Sequence, residues 1–181
     1  MKAKLSLILL VICLSLMGGC SEYFMENGKS NLKIVPFKAD FTVYNHSDIN
    51  DRSCGEMPIF FLTMKGEGNI THMGKITTTM TFCNNMEDGS YWGTTGWFVA
   101  ANGDTLFLEI PEGQIVPNDE SNSDYYQAKF NDPMYFTGGT GKYEGASGMA
   151  MTKAYVHDVP EEWHTDFFST GKLILVKNKN K

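Results

Sequence analysis

The sequence predicts an all-β protein: a single eight-stranded antiparallel closed β-barrel that follows an N-terminal leader. Three observations support this prediction. Apolar and polar residues alternate with a period of two along most of the chain after Val35. Glycine- and asparagine-rich turn sequences separate the alternating segments. No window of about 12 residues has the spacing of an apolar helical face.

Residues 1–19 are predicted to form a secretory signal peptide. Lys2 and Lys4 precede an apolar run over residues 5–17, which is shorter than the roughly 20 residues needed to span a bilayer as a helix. The sequence Leu16-Met17-Gly18-Gly19-Cys20 resembles a bacterial lipobox, although Met17 stands where Leu, Val or Ile is usual. We therefore expect lipid attachment at Cys20. The alternative is an ordinary signal peptide cut near Gly19.

Residues 20–34 are predicted to be a lipidated tether, because they are mostly polar and lack periodicity. Ser21 rather than aspartate follows the cysteine, which by resemblance to enterobacterial sorting rules indicates the outer membrane. The expected partner is therefore a membrane, reached through the N-terminal lipid, in the bacterial cell envelope. Residues 35–177 are predicted to form the barrel domain.

Eight segments of this domain are expected to be strands. The first begins around Phe37 and includes Phe41 and Val43, and the others cover residues 60–65, 76–83, 91–101, 104–116, 125–137, 143–156 and 167–177. Consecutive antiparallel strands form either a two-sheet sandwich or a barrel, and closure removes the exposed edge strands. We expect the last strand, near Leu173, to meet the first, near Phe41. An eight-stranded barrel is either filled by side chains or holds one small ligand.

The segment Phe136-Thr137-Gly138-Gly139-Thr140-Gly141-Lys142-Tyr143 runs into the small residues Gly145, Ala146 and Gly148. It resembles the strand–turn–strand of the allene oxide cyclase and dirigent barrels. The resemblance implies their barrel fold over about residues 35–177. Because homotrimers occur among those relatives, it also makes a homo-oligomer a candidate state. Their pocket residues lie outside this motif, so no catalytic residue is carried over to this chain.

The acidic net charge of −6 argues against a nucleic-acid partner, since no basic surplus is available to displace counterions. No P-loop, Gly-x-Ser-x-Gly or HExxH motif occurs, and we predict no catalytic residue, metal or cofactor. The densest group of ligand-type residues is the loop from His157 to Asp166. It is interpreted either as a solvated acidic loop or as a divalent-ion or acid–base site.

Cys54 and Cys83 are the cysteines that remain after Cys13 is removed with the leader and Cys20 is acylated. An oxidising envelope favours a disulfide between them. A turn centred at His72–Met73 would instead place Leu62 opposite Cys83, leaving Cys54 beyond the pairing. A disulfide and two free thiols are therefore both open.

Glu67, Met64 and Trp97 are the candidate pocket residues. Glu67 lies near a strand end, where a barrel mouth is expected, and burial would raise the pKa of its carboxyl group. The alternative is that it faces outward beside Lys65 and Lys75. Three functions follow from the sequence. The first is a non-enzymatic envelope lipoprotein that binds a small apolar or amphipathic molecule. The second is an isomerase or cyclase acting on a small apolar substrate, and the third is a scaffold or interaction lipoprotein.

Overall fold

The structure is a computed structural model that describes residues 31–177, which form one antiparallel sheet of nine strands. Eight strands close into a barrel, and β6 is an extra strand of two residues beside β7. The strands are β1 (Leu32–Asn45), β2 (Ile59–Ile70), β3 (Gly74–Asn85), β4 (Ser90–Ala100), β5 (Thr105–Gln114), β6 (Val116–Pro117), β7 (Ala128–Gly139), β8 (Ser147–His157) and β9 (His164–Val176).

The barrel closes between its first and last long strands. β1 pairs with β9 from Leu32 opposite Val176 to Tyr44 opposite His164, so Phe41 faces Phe167 across the seam. The predicted fold class and this closure are confirmed. The β5–β7 pairing is shorter and extends only from Leu106 to Glu109 on β5. Further along, β7 pairs with β6 instead, from Val116 opposite Lys129 to Pro117 opposite Ala128.

The interior is made by alternate residues, as the period of two predicts. At one end of the barrel the core is filled. There the Phe37 ring packs against Phe98 and Phe136, with centroids 6.5 and 4.5 Å apart. Tyr143, 1% exposed, closes this end and donates a hydrogen bond to the His72 carbonyl oxygen at 2.8 Å. Any interior space for a ligand therefore lies toward the opposite end of the barrel.

Several predicted boundaries differ from the structure. β1 starts at Leu32, so residues 32–34 belong to the barrel rather than to the predicted tether. Residues 125–127 are loop, and β7 starts at Ala128. The seventh predicted strand, residues 143–156, begins later than expected. Gly141–Tyr143 form a 3₁₀ turn and β8 starts at Ser147, because positive φ angles at Gly141 (58°) and Gly145 (69°) interrupt extended backbone.

The predicted β2–β3 register was wrong by one residue. Thr71, His72 and Met73 form a three-residue turn, with Ile70 opposite Gly74. Cys83 therefore pairs with Phe61 rather than with Leu62. The predicted signal peptide and Cys20 lie outside the described residues. Within residues 31–177, no helix is long and apolar enough to cross a membrane.

Candidate functional site

A cavity of about 170 Å³ lies at the end of the barrel opposite Tyr143. Its lining residues lie near the starts of β2, β4, β7 and β9 and near the ends of β3, β5 and β8. The lining is mainly apolar and comprises Leu62, Met64, Met80, Phe82, Met86, Tyr91, Ile110, Ile115, Ala128, Phe130, Val156, Trp163 and Phe167, with Gly89 and the polar residues Asn84, Thr94, Asp158 and Thr165. Trp163 comes from the β8–β9 loop and Met86 from the β3–β4 loop, so two loops surround the mouth.

The Tyr91 side chain connects this cavity to a carboxylate. Its hydroxyl donates to Asp132 Oδ2 at 2.7 Å, and Asp132 lies on β7 outside the part that pairs with β5. A Cβ atom at Gly113 would overlap both the phenol and this carboxylate, so glycine there leaves room for their hydrogen bond. Burial raises the pKa of Tyr91, and its hydrogen bond to Asp132 raises that pKa further. Tyr91 is therefore a neutral phenol, 4% exposed, whose proton is directed to a carboxylate.

A β-bulge in β4 determines which side chains enter the cavity. On β3 Thr81 and Cys83 are two positions apart, whereas their partners on β4, Thr95 and Trp92, are three positions apart. Gly93 takes up the extra residue with a φ of 65°. A bulge of this kind re-aims the following side chains. Thr94 consequently lines the cavity. The residues after it point to the opposite face of the barrel wall from the one that an uninterrupted alternation starting at Tyr91 would give them.

Because of this bulge, the prediction that Trp97 lines the pocket is wrong. Trp97 lies on the outer face of the barrel and is 41% exposed, because the inward positions after the bulge are Gly96 and Phe98. Glu67 is also exposed on the outer face, opposite Thr42 and Thr77. Neither belongs to the interior pocket. Met64 does line the cavity and is 4% exposed.

Sequence reasoning missed Thr94, Asn84 and Asp132. Thr94 follows a bulge whose existence depends on pairing with another strand, so its direction has no local signature. Tyr91 and Asp132 are 41 residues apart in sequence. The one available signal was Gly93, a glycine within an alternating segment, which is typical of a bulge.

Cys54 and Cys83 form a disulfide bond, with their Cα atoms 5.7 Å apart. Cys54 reaches Cys83 because the β1–β2 loop folds back over the start of β2. His46 N donates to the Thr63 carbonyl at 2.8 Å, and Met86 N donates to the Pro58 carbonyl at 3.1 Å. The disulfide therefore attaches this long loop to β3 at the open end of the barrel.

A second loop is fastened over the outer face of β7, β8 and β9. Glu120 accepts hydrogen bonds from Lys153, from the Tyr155 hydroxyl and from Lys129 at 2.8, 2.8 and 3.1 Å. These contacts, the Lys153 bond foremost, lower the pKa of Glu120 to about 2. The Tyr126 hydroxyl of the same loop donates to Asp166. Ion pairs thus hold this loop beside the cavity mouth.

His157 and His164 of the predicted acidic loop lie close together, with ring centroids 4.8 Å apart. His157 stacks on Tyr125 at 4.2 Å, and its Nδ1 lies 2.6 Å from the Tyr125 carbonyl oxygen. His157 Nε2 is 3.5 Å from Glu162 Oε2. Among residues 31–177, no three His, Cys, Asp or Glu side chains are grouped so that they could hold a metal ion. The pair packs the loop against the outer wall.

The outer wall carries an apolar patch of its own. Trp97 lies directly opposite Phe107, and Tyr135 lies opposite Met149 on the neighbouring pair of strands. Each of these four side chains is between 40% and 43% exposed. A scaffold role would combine such a patch with a filled barrel. The apolar patch is present, but the barrel is not filled, since its open end contains a cavity.

Comparison with solved structures places this barrel among dirigent-like folds. The pterocarpan synthase dirigent protein GePTS1 matches with a TM-score of 0.50 and 14% identity, covering 86% of this chain and 92% of that one. A second pterocarpan synthase dirigent protein, PsPTS1, matches with a TM-score of 0.44 and 11% identity, over 83% and 98% of the two chains. No protein-family model and no curated protein matches the sequence. The shared feature is the eight-stranded barrel.

Proposed function

We propose that this protein binds a small apolar or amphipathic molecule in the cavity at the open end of its barrel and performs no chemistry on it. The cavity is the observation that supports this function. An engineered protein cavity of about 150 Å³ lined by apolar side chains is large enough to bind benzene. The present cavity, about 170 Å³, has room for a molecule built on one ring.

The lining also indicates the kind of molecule. Met64, Met80 and Met86 give it flexible, polarizable walls that can adapt to a guest. Among the described residues that line the cavity, Asp158 is the only charged one, and none is a lysine, arginine or histidine. An anionic ligand would meet no compensating charge there, and burying an unpaired charge is costly. A neutral ligand is therefore favoured.

The proposal is tested by asking whether a molecule co-purifies with the protein. The full chain is isolated from its own cells, and small molecules are identified by native mass spectrometry. Ala128→Leu narrows the cavity, whereas Thr137→Leu places the same side chain on the exposed face of the same strand. We expect a bound molecule in the wild type and in Thr137→Leu, and less of it in Ala128→Leu. Equal occupancy in all three proteins, or none in any, would refute this function.

A second candidate, an isomerase or cyclase, is favoured by one specific observation. Tyr91 lines the cavity while its hydroxyl is hydrogen-bonded to Asp132. A ligand proton taken by the Tyr91 oxygen can be balanced by transfer of the phenol proton to the carboxylate. Tyr91 and Asp132 would then act as a proton relay, the only chemistry that this alternative requires.

This alternative is tested with acetophenone in D₂O, by following deuterium incorporation into its methyl group by NMR. A relay would make exchange faster with the full chain than in protein-free buffer, and Tyr91→Phe and Asp132→Asn would each abolish the acceleration. Exchange at the buffer rate would exclude the relay for this substrate class and leave the binding function standing.

We also propose that the protein is a lipoprotein of the bacterial envelope, anchored through Cys20 in the outer membrane. The support is the leader and its lipobox-like ending. Each buried methylene of an acyl chain contributes about 0.8 kcal/mol, so a multiply acylated cysteine holds a protein at a membrane. Metabolic labelling with palmitate and membrane fractionation test this proposal. Cys20→Ala should lose both the label and the membrane association, whereas Cys13→Ala should retain them.

A further inference from the structure

The polar groups of the cavity differ in whether they already have a partner. Tyr91 donates to Asp132, and the Asn84 side-chain nitrogen donates to the Ser90 carbonyl at 2.9 Å. Thr94 is 2% exposed, and no atom of the described chain forms a hydrogen bond with its hydroxyl oxygen. Leaving a buried hydroxyl unpaired is unfavourable, because the group loses its hydrogen bonds to water without gaining others. A partner from outside the chain would remove that cost.

The position of Thr94 is the product of a specific backbone feature. The Gly93 bulge turns it inward, and bulges are over-represented next to functional sites, where they re-aim a side chain. Asn84 and Tyr91 lie opposite each other in the β3–β4 register, so all three polar side chains share one wall. The facing walls carry Phe130, Val156 and Phe167 among other apolar residues. The β3–β4 wall of the cavity is therefore polar, and the other polar lining residues, Asp158 and Thr165, lie next to the end of β8 and at the start of β9.

The hydroxyl restricts the chemistry of the partner. The threonine hydroxyl can donate one hydrogen bond and can also accept, and the bond that it donates requires an acceptor oxygen or nitrogen on the ligand. A carboxylate is disfavoured because no lysine, arginine or histidine of residues 31–177 lines the cavity. A neutral carbonyl oxygen meets both conditions. The remaining space, about the size of one ring, requires the rest of the ligand to be apolar.

We propose that Thr94 is the hydrogen-bonding residue of the cavity, and that the ligand is a neutral ring-sized molecule whose carbonyl oxygen accepts from Thr94 Oγ1. This inference rests on the proposed binding function and specifies its ligand class. Asn84, on the same wall, provides the neighbouring polar surface. The apolar part of the ligand lies against Phe130 and Phe167.

The test compares two probes of nearly equal shape: acetophenone, and α-methylstyrene, in which a CH₂ group replaces the carbonyl oxygen. Their affinities for the full chain are measured by ligand-observed NMR titration. Thr94→Val removes the hydroxyl and preserves the shape of the side chain. Thr94→Ser retains the hydroxyl. Thr95→Val makes the same change on the outer face, where Thr95 contacts Thr81 at 3.3 Å.

We expect Thr94→Val to weaken acetophenone binding by about three- to tenfold, the range that corresponds to one hydrogen bond. The affinity for α-methylstyrene should stay the same or rise, because the unpaired hydroxyl is gone. Thr94→Ser and Thr95→Val should keep the wild-type ratio of the two affinities. Circular dichroism verifies that each variant is folded, and Thr94→Ala replaces Thr94→Val if the latter is not.

Two results would overturn the inference, and they are distinguishable. If both probes bind and Thr94→Val changes neither affinity, the role of Thr94 is refuted while the binding function stands. If neither probe binds to the wild type, the binding function fails for ring-sized neutral ligands and the role of Thr94 fails with it.

Discussion

Removal of the Cys54–Cys83 disulfide should lower the stability of the barrel by several kilocalories per mole. The cysteines are 29 residues apart in sequence. Cross-linking a loop of that length reduces the entropy of the unfolded chain by about 12 cal/mol/K, which corresponds to about 3.6 kcal/mol at 25 °C. Single domains are typically stable by about 5–15 kcal/mol, so this loss is a large fraction of the total.

The measurement is urea unfolding of the wild type and of the double variant Cys54→Ser, Cys83→Ser, followed by circular dichroism. With a slope of about 2 kcal/mol/M, the midpoint should fall by about 2 M. Reductant should move the wild-type midpoint toward that of the variant and leave the variant unchanged. A fall of less than about 0.5 M, equivalent to about 1 kcal/mol, would refute the reasoning that the cross-link restricts the unfolded state.

Three further predictions concern the stability of the folded protein. Gly68→Ala should cost at least about 2 kcal/mol in urea unfolding, because its Cβ would overlap the Asp40 carbonyl oxygen. Gly74→Ala, where a Cβ meets nothing within 4 Å, should cost only about 1 kcal/mol from its positive φ; equal losses would contradict this. The lowered pKa of Glu120 contributes stability that is fully present above pH 4.5 and is lost as the pH falls toward 2. In Glu120→Gln the melting temperature should therefore fall less between pH 4.5 and pH 2 than it does in the wild type. An equal fall in both proteins would be evidence against the ion pairs. Tyr143→Phe should cost about 1 kcal/mol in unfolding free energy, because its bond to the His72 carbonyl is lost, and a neutral effect would argue against that bond.

The fold could be predicted because local sequence patterns, namely strand alternation and turn glycines, determine most of it. The alternation along β3, from Ile76 to Phe82, places every second side chain inside, as in the structure. Glycines in the turn after β7 indicated a change of direction there. Closure followed from the number of strands, since a sheet of that size avoids exposed edges by joining its ends.

The site was less accessible to sequence reasoning because it depends on long-range geometry. One extra residue at Gly93 exchanges the faces of β4, so Trp97 points outward and Thr94 inward. A glycine within an alternating segment is typical of a bulge, but it does not identify which of the following side chains then point inward. The cavity itself is the volume that the interior side chains leave unfilled, and it depends on packing across the whole barrel rather than on any single segment.

The central claim, that the open end of the barrel binds a small neutral molecule, is tested most directly by NMR of the full chain with ¹³C-labelled methionine methyl groups. Met64 and Met80 line the cavity, whereas Met149 and Met151 are exposed on the outer wall. Methionine-to-leucine variants assign the four signals. During titration with acetophenone, Met64 and Met80 should shift and saturate while Met149 and Met151 stay in place. Saturable shifts confined to the outer pair, or no shift in any of the four, would contradict the claim.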